Sequence, residues 1–523
     1  MLKRFAKCVV MSGIMSLSVL ASPSVAQENV LVEAIGNNPP HLNRLLTTDI
    51  GASIVSYPIF DTLVVQDASY APQPHLALSW QSNVDATEYR FKLRDDVVFH
   101  NGDKMTADDV AFTLKTYIPL APQASFLKDY LQSVEAEDAT TVVVKLNKSF
   151  APFVEMLAGI PIVPKSVYGD GQDVATHPAN IAPVGSGPFR LASYDMGERV
   201  TLERFNEYWG QKPEIDQIVL PIIPDQNSRL LAFEGGDIDF MDGSLVDKSS
   251  YSRLLANDQI IALPRGGGVN TLTVHLNARS GPLEKFEVRK ALYQAINKAM
   301  LTERAYYGFG APSRGAIPAA ISWAASPQVD FNKSLPFDPK AAGAALDAAG
   351  FPVGADGKRF SLRLAYISEY GVLQAASGII KSNLADIGVD VQLIGEEFNV
   401  WAKRSYETHD FDMTIVFYTS YQDPSVGVAR VYLCNPTDVF FRNSSGICDP
   451  ELDAAFAEAG ATPDRAKRQA AFATAEQRIE GILNSYPLVD DPASDFGRKD
   501  RWDFTEAFAT MPPDWSLVKK VAN

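Results

Sequence analysis

YRFKLRDDVVFHNGDKMTADDVAFTLKTY, residues 89–117, places a strand, a turn and a helix in a single stretch. Tyr89, Phe91 and Leu93 alternate with Arg90, Lys92 and Arg94, a period of two that predicts a strand with one buried face. Asn101-Gly102-Asp103 follows as a turn. Thr106 then stands three residues before Asp109, the spacing of a capping box, and Val110, Ala111, Leu114 and Tyr117 recur at helical intervals.

The same alternation of types extends along the chain. Val288, Ala291, Leu292, Ala295, Ile296 and Ala299 share a helical face, as do Val372, Ala376, Ile379, Ile380, Leu384 and Ile387. After the second helix, Val389, Val391 and Leu393 alternate with Asp390 and Gln392. The run MTIVFY, residues 413–418, reads as a strand buried on both faces. Helices between strands predict βαβ units, an α/β fold and a mainly parallel or mixed sheet. Gly266-Gly267-Gly268 separates two such systems, so two lobes with a hinge at these glycines are expected, a simple flexible turn being the competing reading.

The chain has 523 residues, 46% hydrophobic and 21% charged, enough for about three structural units with a real core and without stapling. A net charge of −16 repels phosphate backbones and argues against a nucleic-acid partner. Lys3, Arg4 and Lys7, the apolar run Val9 to Leu20 and the small residues Ser24-Val25-Ala26 read as a signal peptide over residues 1–26, cut before Gln27. The apolar run is too short to span a bilayer. Cys8 lies inside this segment without the pattern of a lipid anchor, so a soluble exported protein is expected. Cys434 and Cys448 then remain as an even pair, and export favours a disulfide over two free thiols, closing a loop of about 15 residues worth about 3 kcal/mol.

The signatures of common enzymes are missing. Gly357-Lys358 is followed by Arg359 and has Pro352 where a phosphate loop needs glycine. His41, His75, His100, His177, His275 and His409 are scattered, with no zinc-hydrolase spacing, so neither a metal nor a cofactor is expected. Gly185-Ser186-Gly187 lacks the spacing of a nucleophile elbow and reads as a turn. Asp108-Asp109 and Glu396-Glu397 are sequence neighbours whose side chains diverge, so neither is a glycosidase pair. No catalytic residue is expected, a secreted hydrolase being the rival class.

Residues 89–117 resemble the strand, F-H-(D/N)-G turn and T-A-x-D-V helix of the family 5 extracellular solute-binding proteins of ABC transporters, the dipeptide, oligopeptide and nickel binders. LNRLL from Leu42, YPIFDTLV from Tyr57, VGSGPFRLASY from Val184, FNEYWG from Phe205 and RLLAFEGGDIDF from Arg229 extend the likeness. FEVRKALYQAINKAM from Phe286, DPKAAGAALDAAGF from Asp338 and GICDPELD from Gly446 carry it onward. The resemblance implies a type II periplasmic-binding fold. It places lobe I over 27–267 with an inserted subdomain at about 60–180, lobe II over 268–484, and a C-terminal return to lobe I over 485–523. It also implies a monomeric periplasmic receptor that closes on a short peptide and delivers it to an ABC permease and its ATPase. Opines, sugar derivatives and chelated metals are the alternative solutes.

Within FDMTIVFYTSYQDPSVGVARVYL, residues 411–433, a buried strand runs into a polar loop, the place where α/β folds bind ligands. Asp423 is the closest match to the aspartate that takes a peptide's α-ammonium group in the family's peptide binders. Where dipeptide binders carry a further acid just before it, this chain has Thr419-Ser420-Tyr421. Trp401, Tyr418 and Tyr421 are candidates to enclose the solute, with core packing the competing reading. Arg430 is a candidate for a solute carboxylate. Asn270 is expected to border the cleft through its backbone, and Tyr57 is placed there by the resemblance.

Overall fold

The structure, a computed structural model, describes residues 29–522 apart from 123, 265–267 and 422. The expected signal peptide, and Gly266 and Gly267 of the glycine cluster, lie outside the described residues. No described helix is long and apolar enough to cross a membrane.

The strand Glu88–Leu93 buries Tyr89, Phe91 and Leu93 and turns its basic residues outward, as the period of two requires. It lies in a four-stranded antiparallel sheet with Ala77–Ser82, Thr141–Leu146 and Leu131–Asp138. The helix Ala107–Tyr117 packs on that sheet. Asp109 closes its capping box by accepting from the Thr106 N–H (2.8 Å) and hydroxyl (2.9 Å). The turn before it is structural. His100 Nδ1 accepts from the Gly185 N–H (3.3 Å) and Nε2 donates to the Gly187 carbonyl (3.0 Å), and burial lowers the imidazole pKa to about 4, so the ring is neutral. Gly185 allows this because a Cβ there would lie 2.0 Å from the Ile59 carbonyl oxygen.

A second four-stranded sheet joins Val30–Val32, Gln217–Pro221, Arg199–Arg204 and Phe189–Asp195, and both sheets share one apolar core. A separate core surrounds a six-stranded mixed sheet. In it Phe360–Ile367 pairs in parallel with Val389–Glu396 and with Met413–Thr419. Gly371–Ala385 is the crossover helix between the first two, so this is a βαβ unit. Asn270–Leu276 pairs antiparallel with Met413–Thr419 on one side and Ser485–Asp491 on the other. The apolar face read over 288–299 is split into two helices, Phe286–Ala295 and Lys298–Arg304. The Asn297 side chain starts the second by accepting from the Met300 N–H (2.9 Å).

The chain crosses between the two cores twice, side by side. Ile260–Pro264 pairs with Ser494–Arg498 on the first side, and Asn270–Leu276 pairs with Ser485–Asp491 on the second. The second crossing is therefore the short link 492–493, and the first falls between Pro264 and Asn270. The return to the first body, expected from residue 485, thus comes later. Ser485–Asp491 is a wholly buried strand of the six-stranded sheet, and Pro492, which has no N–H to donate, follows its last pair. Beyond it, Thr510–Met511 pairs with Val64–Asp67 of the first body. Cys434 and Cys448 form the expected disulfide.

Candidate functional site

A cavity of about 400 Å³ opens where the two crossings meet the facing bodies. Tyr57, Asn270 and Tyr421 line it, so the structure brings together three of the seven expected site residues. Tyr57 follows the Ile50–Ser56 helix and carries the Arg44 guanidinium over its ring at 4.8 Å. Asn270 begins its strand, and its side-chain oxygen accepts from the Thr419 hydroxyl (2.6 Å) on the neighbouring strand. Tyr421 sits just past that strand with a left-handed φ of 51°, a strained conformation for an aromatic residue.

The other four are placed elsewhere. Trp401 is fully buried in the second core with Nε1 donating to Thr414 (2.8 Å). The Tyr418 hydroxyl is buried in contact with His275 Nε2 and the Tyr406 hydroxyl, each at 2.6 Å. Both are core aromatics, because the strand and helix carrying them turn those faces inward. Arg430 stacks on Tyr421 at 4.3 Å and donates to the Gly427 (3.1 Å) and Thr419 (3.3 Å) carbonyls, so it props the loop that presents Tyr421.

Asp423 is the larger correction. It is 0% exposed, and both carboxylate oxygens accept from Arg468 Nη2, at 2.7 and 2.6 Å. One of them also accepts from the Ser425 N–H (2.9 Å), capping the Pro424–Gly427 turn. Arg468 supplies the opposite charge that a solute ammonium was expected to bring. Asp423 is not part of the cavity wall.

Acidic residues not singled out in the sequence line the cavity instead. Glu33 lies just past the Val30–Val32 strand, 1% exposed, bridged to Phe240 and part of the cavity lining, and its Oε2 has no hydrogen-bond partner among the described residues. Burial, then Asp242 and Asp495 beside it, raises its pKa well above the usual carboxylate range. Asp242 accepts from the Ser244 N–H (2.8 Å) and Asp495 from the Gly243 N–H (2.8 Å), which fixes both on the same wall. Arg44 and Trp515 are also part of the lining, and the Arg44 Nε and the Trp515 Nε1 lack partners among the described residues. The signal for Glu33 was a single acid inside the apolar run Val30 to Ile35.

The cavity wall mixes aromatic residues such as Tyr57, Phe240 and Trp515 with many polar ones, including Glu33, Arg44, Gln66 and Asn270. Residues 71–438 match the profile of the bacterial extracellular solute-binding proteins, family 5 Middle. The chain is 28% identical over 437 residues to the nickel-binding periplasmic protein of Escherichia coli (strain K12), covering 79% of this chain and 80% of that one. It is 27% identical over 401 residues to the glutathione-binding protein GsiB of Escherichia coli O6:K15:H31, covering 74% of each. NikA from Brucella suis, solved in complex with Fe(III)-EDTA, superimposes with a TM-score of 0.80 at 23% identity, covering 94% of this chain and 100% of that one. That likeness makes the fold the type II periplasmic-binding fold. These relatives are binding proteins of ABC importers and not enzymes. The chain belongs to the family 5 bacterial extracellular solute-binding proteins.

Proposed function

We propose that this protein is the periplasmic receptor for a short peptide, held in the cavity bordered by Tyr57, Asn270 and Tyr421 and handed to an ABC permease with its ATPase. The observation that carries the reading is the cavity itself. It lies beside Gly268 and Ala493, between two separately cored bodies, so relative rotation of those bodies opens and closes it. The two bodies are then the lobes, residues 60–180 the inserted subdomain, and the paired links the hinge. Its volume of about 400 Å³ lies near the low end of the range of about 300–1,000 Å³ for small-molecule sites, which suits a peptide of about two or three residues. A relative named for glutathione, itself a tripeptide, supports the same class.

The receptor role requires export, and residues 1–26 supply the signal for it. The receptor acts as a monomer, each molecule closing on one solute. Native mass spectrometry of the mature protein, purified gently from its own periplasm, tests the solute class. A ladder of adducts with peptide masses is expected. A single non-peptide mass would move the solute to the opine, sugar or metal-chelate class while keeping the receptor role.

A further inference from the structure

The cavity holds a carboxylate oxygen that no group among the described residues answers. Glu33 is 1% exposed, and its Oε2 has no hydrogen-bond partner among them. Leaving an acid in that state is costly unless a partner arrives with the ligand. Asp242 and Asp495 stand close enough to disfavour its ionised form. Each of those two is held by a backbone N–H, whereas the Glu33 Oε2 is not. Trp515, 4% exposed on the same cavity, offers an Nε1 donor and Arg44 an Nε, both unpaired among the described residues. The lining thus presents an acidic wall together with donors suited to a carbonyl or carboxylate.

We propose that Glu33 is the counter-charge for a cationic nitrogen of the solute, so that the receptor selects solutes carrying a free amine, with their acyl or carboxylate oxygens met by Trp515 and Arg44. This rests on the reading that the cavity between the lobes holds the transported solute. It gives the ammonium a different partner from Asp423, whose carboxylate is occupied by Arg468. The raised pKa of Glu33 fits the role: burial disfavours its ionised form, and an arriving cation favours it.

The alternative role for Glu33 is a protonated carboxyl that donates to a neutral solute. Glu33→Gln separates the two, because glutamine still donates but carries no charge. The substitution is isosteric, and Oε2 has no hydrogen bond to lose among the described residues; a thermal melt of the variant checks its fold.

The probes are three sets of compounds in a thermal-shift screen with calorimetry on the hits: free di- and tripeptides, the same peptides N-acetylated, and non-peptide amines. Wild-type protein should respond to a free-amine set and not to the acetylated one. Glu33→Gln should weaken that binding on the order of 30-fold or more, and Glu33→Asp should keep the preference for the free amine. Equal binding of acetylated peptides, unchanged affinity in Glu33→Gln, or a wild type that answers to none of the sets overturns the assignment. Tyr421→Ala tells this failure from failure of the site: if it weakens binding while Glu33→Gln does not, the cavity stands and only Glu33 is wrong. If neither weakens it, the solute sits elsewhere.

Discussion

Asp423 and Glu33 are both buried acids, and their partners separate their roles. Arg468 binds both oxygens of Asp423 while its Nε donates to the Ala459 carbonyl (2.7 Å), so this ion pair is built into the protein. Removing one partner of a buried pair costs about 3–5 kcal/mol because the other charge is stranded. Glu155 Oε1, 3.9 Å from Arg468 Nη1, remains to take up part of that charge. Asp423→Asn should therefore destabilise by about 3 kcal/mol in denaturant unfolding, the low end of that range. Asparagine still caps the following turn, which confines the loss to the charge. Discrimination between free and N-acetylated peptides should survive. A variant of full stability that has lost that discrimination would restore Asp423 as the amine anchor. No local pattern showed this, since the partner lies 45 residues further on.

At the scale of elements, periodicity made the strand at 88–93, its helix and the βαβ unit legible, because burial of one face imposes period two or 3.6 on the residues themselves. It did not separate cleft from core aromatics. Trp401 and Tyr421 are alike in type, and only the tertiary placement of their elements sends one into the core and the other to the cavity. The place where the first crossing meets the site is similarly invisible in composition but clear in geometry. Gly268 has φ 106°, and a Cβ there would come within 2.8 Å of the Tyr421 nitrogen and 2.9 Å of the Ser420 Oγ. That hydroxyl accepts from the Val269 N–H at 3.0 Å, so the crossing and the Tyr421 loop are fastened together. Gly268→Ala should cost about 1–3 kcal/mol of solute binding by pushing Tyr421 off the cavity, read by calorimetry. Unchanged affinity would show that the loop position is not set here.

For the whole molecule, a further set of contacts joins the two bodies. The Ala151 N–H donates to the Gly460 carbonyl at 2.7 Å, and Glu155, on the short Phe153–Met156 helix of the first body, reaches Arg468 of the second. Burial, and then Asp423, raises the Glu155 pKa to about 7, with Arg468 opposing. When the lobes part, Glu155 meets water and returns toward an ordinary value of about 4.3. The closed form therefore holds the proton more tightly than the open one. Closure is most favoured below about pH 4.3, weakens as pH rises to about 7, and is level above that. Tyr89 and Arg465 also face this acid, yet neither changes charge in that window. Glu476, raised to about 7, and Asp490, raised to about 6, do titrate there, but both sit inside the second body and leave these contacts unaffected. Small-angle scattering of the empty protein should accordingly show a smaller radius of gyration at about pH 5 than at about pH 8.5. Glu155→Gln should lose most of that difference, with Glu33 in the cleft remaining as a second buried acid of raised pKa. If the difference persists in full in that variant, the sensitivity belongs to another group, and if the wild type shows none, Glu155 does not change its surroundings between the open and closed forms.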